Sequence, residues 1–474
     1  MNPAASPHSE ATGFNPRGSS PISVFLRERW AWLALAAVLT AAAVLRVVDL
    51  GTRPANLTAD ELDDLQNVYQ VLEGTAGGFF GLDWNQAPNF NMYLKAATVI
   101  VFGDTVAGAR MYGVVLSLAT LALFYPLARR RLAPLPSLLA VFLLATSLWF
   151  LHFSRTPWVA MSATLAAVLT AYLLDLALEK RNLRLFALLG VTLAFGAYGY
   201  FAGRTLVPIV GASFLVALLL REANALTLIR GFALSGVVAL ILVVPQVNTQ
   251  IENWDYANTR PRAVSIFSVE GEYLGDDSKL EIAAHQTLRM VRGFILLDSG
   301  VVNYGLWARH RPEDWAFIDR ATGVLYWLGL GAGVYYWRRF VYWWVFLLVP
   351  LFITQVFSTG TPDGSRGLMA APFMFLFVGL GLETVLSPAG GRWRLALSGA
   401  VVALAVAIGA FNVDRYFNWI QERGALVARA PSVEVSEFVY WKELVRDYAE
   451  QDRLLSYEAW LRYRETVLGL PGRP

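Results

Sequence analysis

Residues 30–50 read WAWLALAAVLTAAAVLRVVDL, and shortly afterwards Thr58-Ala59-Asp60-Glu61-Leu62-Asp63-Asp64 begins a different pattern. The first stretch is apolar and long enough to cross a bilayer, which takes roughly 20 residues. It has no small-residue cleavage site that would mark a removable signal peptide. In the second, Leu62, Leu65, Val68, Tyr69 and Leu72 recur on one helical face until Gly74, a suitable stop. A helix this short, just beyond a span, is expected to lie at the membrane interface with its apolar face down.

Working outward, the same length criterion places further spans near 106–128, 134–153, 157–178, 184–201, 205–220, 231–247, 321–337, 341–357, 367–386 and 395–412. That makes about eleven in all by hydropathy. Residues 1–24, rich in Ser, Pro, Gly and Asn, are expected to be a disordered tail. The short alternate loops are basic: Arg27 and Arg29, Arg129 to Arg131, Lys180, Arg181 and Arg184, Arg221 and Arg230, Arg338 and Arg339, Arg392 and Arg394. These loops are therefore cytoplasmic and so is the N-terminus. The long segments fall on the other side: outer loops 51–105 and 248–320, and a tail 413–474. Fold class is thus all-α, a polytopic bundle at residues 25–412 with amphipathic helix in the first outer loop.

Composition agrees. The chain has 474 residues, 56% hydrophobic and 16% charged, against about a quarter charged in soluble domains. A net charge of +3 without a clustered basic face gives no case for nucleic acid. Cys 0 excludes disulfides and thiolate metal sites.

Asp60 and Glu61 carry two compatible readings. Thr58 and Glu61 have capping-box spacing, and Asp60 suits the positive end of a helix dipole. Equally, Glu61 can cap while Asp60 faces a cavity. Their surroundings set the order: one span, Asp-Glu at a helix start, Gly74, Ala87-Pro88, Tyr93-Leu94, Phe102-Gly103 and Arg110. Later come His152-Phe153-Ser154-Arg155, Tyr198-Gly199-Tyr200-Phe201-Ala202-Gly203-Arg204, Pro208, Arg311-Pro312, Asp319 and Pro362-Asp363-Gly364-Ser365-Arg366. Over about residues 30–420 this succession resembles the membrane glycosyltransferases of the GT-C fold, in particular the protein-mannosyltransferase and aminoarabinose-transferase group.

The resemblance implies transfer of a sugar from a polyprenyl-phosphate donor to a protein, lipid or glycan acceptor on the outer face of the plasma membrane. An acid in the first outer loop, by position Asp60, would be the catalytic base, with Glu61 beside it. A leaving lipid phosphate needs cations in a shielded site, and the planar fork of arginine suits it. Arg204, Arg366 and Arg155 are the candidates, against a plainer role as span-end residues that snorkel to headgroups. Tyr198, Tyr200 and His152 are candidate pocket residues; the plain alternatives are an aromatic belt and a satisfied interfacial histidine. Related oligosaccharyltransferases use a divalent ion with an Asp-x-Asp element. The cluster Glu270, Glu272, Asp276, Asp277 and Glu281 with His285 and His310 lacks compact ligand spacing, so no cofactor and no metal are expected. Asn56-Leu57-Thr58 matches a glycosylation sequon, and Thr287 to Phe294 a short interfacial helix. Rival classes are a transporter or flippase for lipid-linked sugars and a non-catalytic subunit of a membrane complex.

Overall fold

The computed structural model describes residues 21–54, 59–268, 278–298, 316–388 and 390–420. Among these there is no strand, only two isolated bridges, Leu82 with Pro88 and Ser265 with Ser358. The helices are α1 (Pro21–Val47), α2 (Ala59–Leu72), α3 (Phe90–Phe102), α4 (Val106–Arg129), α5 (Pro134–Thr146), α6 (Leu148–Ser154), α7 (Ala160–Lys180) and α8 (Leu183–Tyr198). A 3₁₀ turn, Phe201–Thr205, leads into α9 (Leu206–Leu219), followed by α10 (Ala225–Glu252), α11 (Trp254–Val264) and α12 (Lys279–Met290). The last are α13 (Arg320–Tyr335), α14 (Trp337–Leu351), α15 (Gly364–Gly367), α16 (Ala371–Leu386) and α17 (Gly391–Asp414).

Each of the eleven segments expected to span is helical, and the chain is a multi-pass membrane protein. Eight helices are long and apolar enough to cross, and α5 with α6 makes a ninth if that bent pair counts as one. The bend is 62° and follows from Ser147, whose extended backbone ends α5 and whose hydroxyl accepts from the Phe150 amide to start α6. The remaining two, α8 and α13, have 16 residues each. At ~1.5 Å per residue they reach about 24 Å, short of a ~30 Å hydrocarbon core, so the count of eleven is not established by length.

The span that includes α16 is the most buried and α7 comes next, whereas α1 and α10 lie at the rim. α13 meets α16 at glycines: a Cβ on Gly329 would fall 1.7 Å from the Phe377 carbonyl oxygen, and one on Gly381 2.0 Å from that of Leu325. Small residues allow this backbone approach in an apolar medium.

The two ends of the bundle differ. At one, the connections are short and arginine-rich. Arg130 pairs with Asp175 and Glu179, Arg131 with Asp175 at 2.7 Å, and Arg181 donates to the Glu222 carbonyl at 3.0 Å. The other carries the long connections and is called the loop end below. There α2 starts at Ala59 and ends before Gly74, whose φ of 73° only glycine adopts readily. Thr58 and the sequon fall outside the described residues. The apolar face of α2 (Leu65, Val68, Tyr69) is buried against the protein, chiefly α3. The sequence reading did not resolve α3. It exposes Ile100 and Val101 and buries Asn91, Met92, Lys95, Ala96 and Val99.

Candidate functional site

The chain leaving α1 is held by two buried arginines. A helix C-terminus leaves its last carbonyls unpaired. Arg155, just after α6, donates to the carbonyls of Leu45 at 2.6 Å, Val48 at 2.7 Å and Arg53 at 3.1 Å. Its guanidinium also lies over the rings of Tyr416 and Phe417, 5.6 and 5.0 Å from their centroids. Arg110, from α4, donates to the carbonyls of Leu50 at 3.0 Å and Pro54 at 3.1 Å, and meets Glu61 Oε1 at 3.4 Å. Glu61 is fully buried. Asp60 is the second residue of α2, one step from this anchored glutamate; its side chain lies outside the described residues. Arg155 is thus occupied by backbone rather than presented to a cavity. His152 is fully buried on the same side, edge-on to Phe153 and 6.3 Å from the Tyr416 ring.

One turn along α2 the polar stripe continues. Asp64 receives the Lys95 ammonium at 2.5 Å and the Trp84 indole N–H at 2.9 Å, and Asn67 Oδ1 accepts from the Trp84 amide at 2.8 Å. Glu61, Asp64 and Asn67 are spaced by three and so share one face. Lys95 also lies over the Tyr112 ring at 5.4 Å. Tyr112 donates to Asn91 Oδ1 at 2.7 Å, and Asn91 Nδ2 donates to the Gly199 carbonyl at 2.8 Å. Asp83 sits in the turn between α2 and α3, its Oδ1 accepting from the amides of Asn85 and Ala87, both at 2.9 Å. Burial, then the Asp64 carboxylate, pushes the Asp83 carboxyl up to about 7. Tyr256 of α11 donates to the Asp83 carbonyl at 2.8 Å, tying the second long connection to the first.

Gly199 leads directly into Tyr200, which is buried. Its phenol lies within electrostatic reach of Asp363, Arg366 and Arg260. Asp363 caps α15 by accepting from the amides of Ser365 and Arg366. Arg366 reaches Asp363 at 3.3 Å and donates to Ser358 Oγ and the Thr359 carbonyl, both at 2.6 Å. Arg204 is half-buried; its guanidinium lies 4.7 Å from the Phe201 ring centroid and makes no hydrogen bond or ion pair with another described residue. Tyr198 turns the other way. It donates to the Leu242 carbonyl at 2.8 Å and packs among Phe79, Phe80 and Phe90.

The structure therefore brings Tyr200 and Arg366 together and links them by way of Gly199 to Asn91, Tyr112, Lys95 and Asp64. Arg204 follows four residues after Tyr200. Arg155 and Glu61 serve as anchors of the loop bearing Asp60. Sequence reasoning missed Lys95, Asp64 and Arg260. The helical spacing of Asn91 and Lys95 with Met92, Ala96 and Val99 was the available signal for the first. Among the described residues no group of three or more His, Asp or Glu could hold a metal ion. The acidic stretch at 270–277 and His310 lie outside the described residues.

Residues 86–248, from just before α3 to near the end of α10, match the family model for dolichyl-phosphate-mannose-protein mannosyltransferase. No curated protein sequence matches the chain. Among solved structures, the archaeal oligosaccharyltransferase AglB from Archaeoglobus fulgidus, in complex with an inhibitory peptide and a dolichol-phosphate, superposes with a TM-score of 0.54. Identity is 14%, and the match covers 95% of this chain and 64% of that one. ArnT from Cupriavidus metallidurans, bound to undecaprenyl phosphate, gives 0.53 at 14% identity, covering 90% of this chain and 78% of that one. The chain has a GT-C fold. It spans less than two thirds of the length of the archaeal oligosaccharyltransferase.

Proposed function

We propose that this GT-C chain is a glycosyltransferase that moves a sugar, hexose or pentose, from a polyprenyl-phosphate donor to an acceptor at the loop end. One observation carries the reading. The helix that opens with Asp60 is fixed to the scaffold through the buried Glu61–Arg110 pair, at the same end as the Lys95–Asp64 pair and the Tyr200–Arg366 group. The complexes of AglB with dolichol-phosphate and of ArnT with undecaprenyl phosphate support the donor class. Buried Arg110, Arg155 and Lys95 lie toward the loop end, with Arg46 deeper, on Ser117 of α4, a grouping that favours an enzyme over a conduit with ions along its length.

Asp60 takes the proton of the acceptor hydroxyl as its oxygen bonds to the anomeric carbon. The carbon–oxygen bond to phosphate breaks, its electron pair stays on the phosphate, and the configuration inverts. Arg204 and Arg366 receive the phosphate, with Lys95 and Arg260 as further cations at that end; Arg155 acts through the loop it holds. Tyr200 lines the site, Tyr198 supports it from the aromatic cluster, and His152 packs behind Arg155. No metal and no cofactor takes part. The N-terminus and the short basic loops are cytoplasmic, the loop end and the C-terminus are outside, and the membrane is the plasma membrane.

The test is Asp60→Asn in purified protein with a panel of polyprenyl-phosphate sugars. Loss of a positioned base lowers transfer about 10²–10⁴-fold, with membrane insertion unchanged. Full transfer by the variant would remove Asp60 from the mechanism, and no transfer by the parent protein from any donor would remove the transferase reading.

A further inference from the structure

Arg366 is held by residues that the mechanism above leaves unused. α14 runs into a π turn, Phe352–Val356. Turns of this kind insert an extra residue into a helix and recur at functional sites. Two of its residues reach the partners of Arg366. Gln355, fully buried, grips Asp363 on both sides: its Oε1 accepts from the Asp363 amide at 2.8 Å, and its Nε2 donates to the Asp363 carbonyl at 3.3 Å. The Thr354 carbonyl accepts from the Ser358 hydroxyl at 2.5 Å. A hydroxyl has one hydrogen, so Ser358 Oγ can only accept from Arg366 Nη1, 2.6 Å away.

A second brace comes from the other long connection. Directly after α11, the Ile266 amide donates to the Phe357 carbonyl at 3.2 Å, and the Thr359 amide donates to the Val264 carbonyl at 2.8 Å. Ser265 and Ser358 are thereby paired in one of the two isolated bridges. The bridge spends the Phe357 carbonyl and the Thr359 amide. It leaves the Ser358 hydroxyl oxygen and the Thr359 carbonyl to Arg366.

The donors of the guanidinium are thus divided. Asp363 meets the Nε side through Oδ2 at 3.3 Å, while its Oδ1 accepts from the Ser365 amide and hydroxyl and the Arg366 amide. Nη1 goes to Ser358 and Thr359. Nη2 makes no hydrogen bond with a described residue, and the side chain is 19% exposed. A planar fork held at Nε and Nη1 presents its remaining N–H groups in one direction. We infer that Ser358 is a positioning residue for the donor: its oxygen, fixed by the Thr354 carbonyl, turns the Arg366 fork so that Nη2 meets the lipid-linked phosphate. The inference rests on the transferase reading and deepens it. A neutral oxygen suits the task, because it orients the guanidinium without setting a second negative charge beside the phosphate.

The experiment titrates the full chain in neutral detergent with undecaprenyl phosphate, reading affinity by native mass spectrometry and folding by melting temperature. Ser358→Ala weakens binding about fivefold, the worth of one modest hydrogen bond. Ser358→Thr keeps the hydroxyl and binds like the parent chain. In the Arg366→Ala background, Ser358→Ala adds no further loss, because the serine acts through that arginine. Three results overturn the inference and leave the donor reading standing. They are parent-like affinity in Ser358→Ala, a lower melting temperature with affinity intact, and additive losses in the double variant. A parent chain that does not hold undecaprenyl phosphate overturns this inference and the donor class together.

Discussion

At the short-loop end Arg130 and Arg131 meet carboxylates; at the loop end Lys95, Arg110 and Arg366 also do, but Arg155 and Arg204 meet carbonyl oxygens or rings instead. Arg130 and Arg131 share Asp175, with Glu179 alongside. Arg155 instead spends its donors on three carbonyls, Arg110 on two carbonyls and one carboxylate, and Arg204 lies over a ring. A carbonyl fixes a guanidinium without cancelling its charge. Arg130 and Arg131 are thus clamped by carboxylates, while Arg204 keeps a charge that no described carboxylate pairs with and that an incoming phosphate can offset.

The largest effect expected from breaking this contrast is at Arg110. Arg110→Ala leaves Glu61 buried without its cation and releases the carbonyls of Leu50 and Pro54. Removing one partner of a buried pair costs about 3–5 kcal/mol, visible as a marked loss of melting temperature in detergent. Adding Glu61→Gln should restore part of that loss. No restoration would mean that the carbonyl contacts, not the ion pair, hold the loop.

Next comes Asp83. Its folded-state carboxyl titrates at about 7 against an ordinary 3.8, so the fold favours the protonated form. The stability this gives is complete below the ordinary value and is lost as pH rises through about 7. The slope is at most about 1.4 kcal/mol per pH unit. Protease nicking of the α2–α3 connection should therefore increase from pH 5 to 8. Asp83→Asn retains an oxygen for the amides of Asn85 and Ala87 and should flatten that profile; an unaltered profile would place the titrating group elsewhere.

Smaller again is Arg366→Ala. Losing a charged hydrogen-bonding partner is worth about 1.5–3 kcal/mol, so the donor KM should rise roughly 10–100-fold, with a fall in melting temperature as well because buried Asp363 loses its cation. An unchanged KM would take Arg366 off the phosphate and leave it as the partner of Asp363, Ser358 and Thr359.

How much of this was legible beforehand differs by element. The start of α2 at the Asp-Glu pair and its stop at Gly74 follow from capping pattern and glycine φ, both local properties. The break at Ser147 did not show, because one hydroxyl scarcely changes the mean hydropathy of an apolar run. α3 was hidden by its own chemistry: a helix that buries Asn91 and Lys95 on its inner face inverts the usual polar-out pattern. Arg155 was visible as a cation at a span end, but its partners are carbonyls, which every residue carries. No sequence pattern distinguishes the carbonyls of Leu45, Val48 and Arg53 from any others.

The smallest effect is expected at the clamped end, where it sharpens the contrast. Arg130→Ala leaves Asp175 still paired with Arg131 at 2.7 Å, and Glu179 is well exposed. Partly exposed pairs of this kind contribute little, and salt screens them. The melting temperature should fall by no more than about 2 °C in low salt, the difference should shrink in high salt, and the donor KM should stay as it was. A loss as large as that of Arg110→Ala would show that the short-loop end is not merely a screened clasp. The two ends would then be held by charge in the same way.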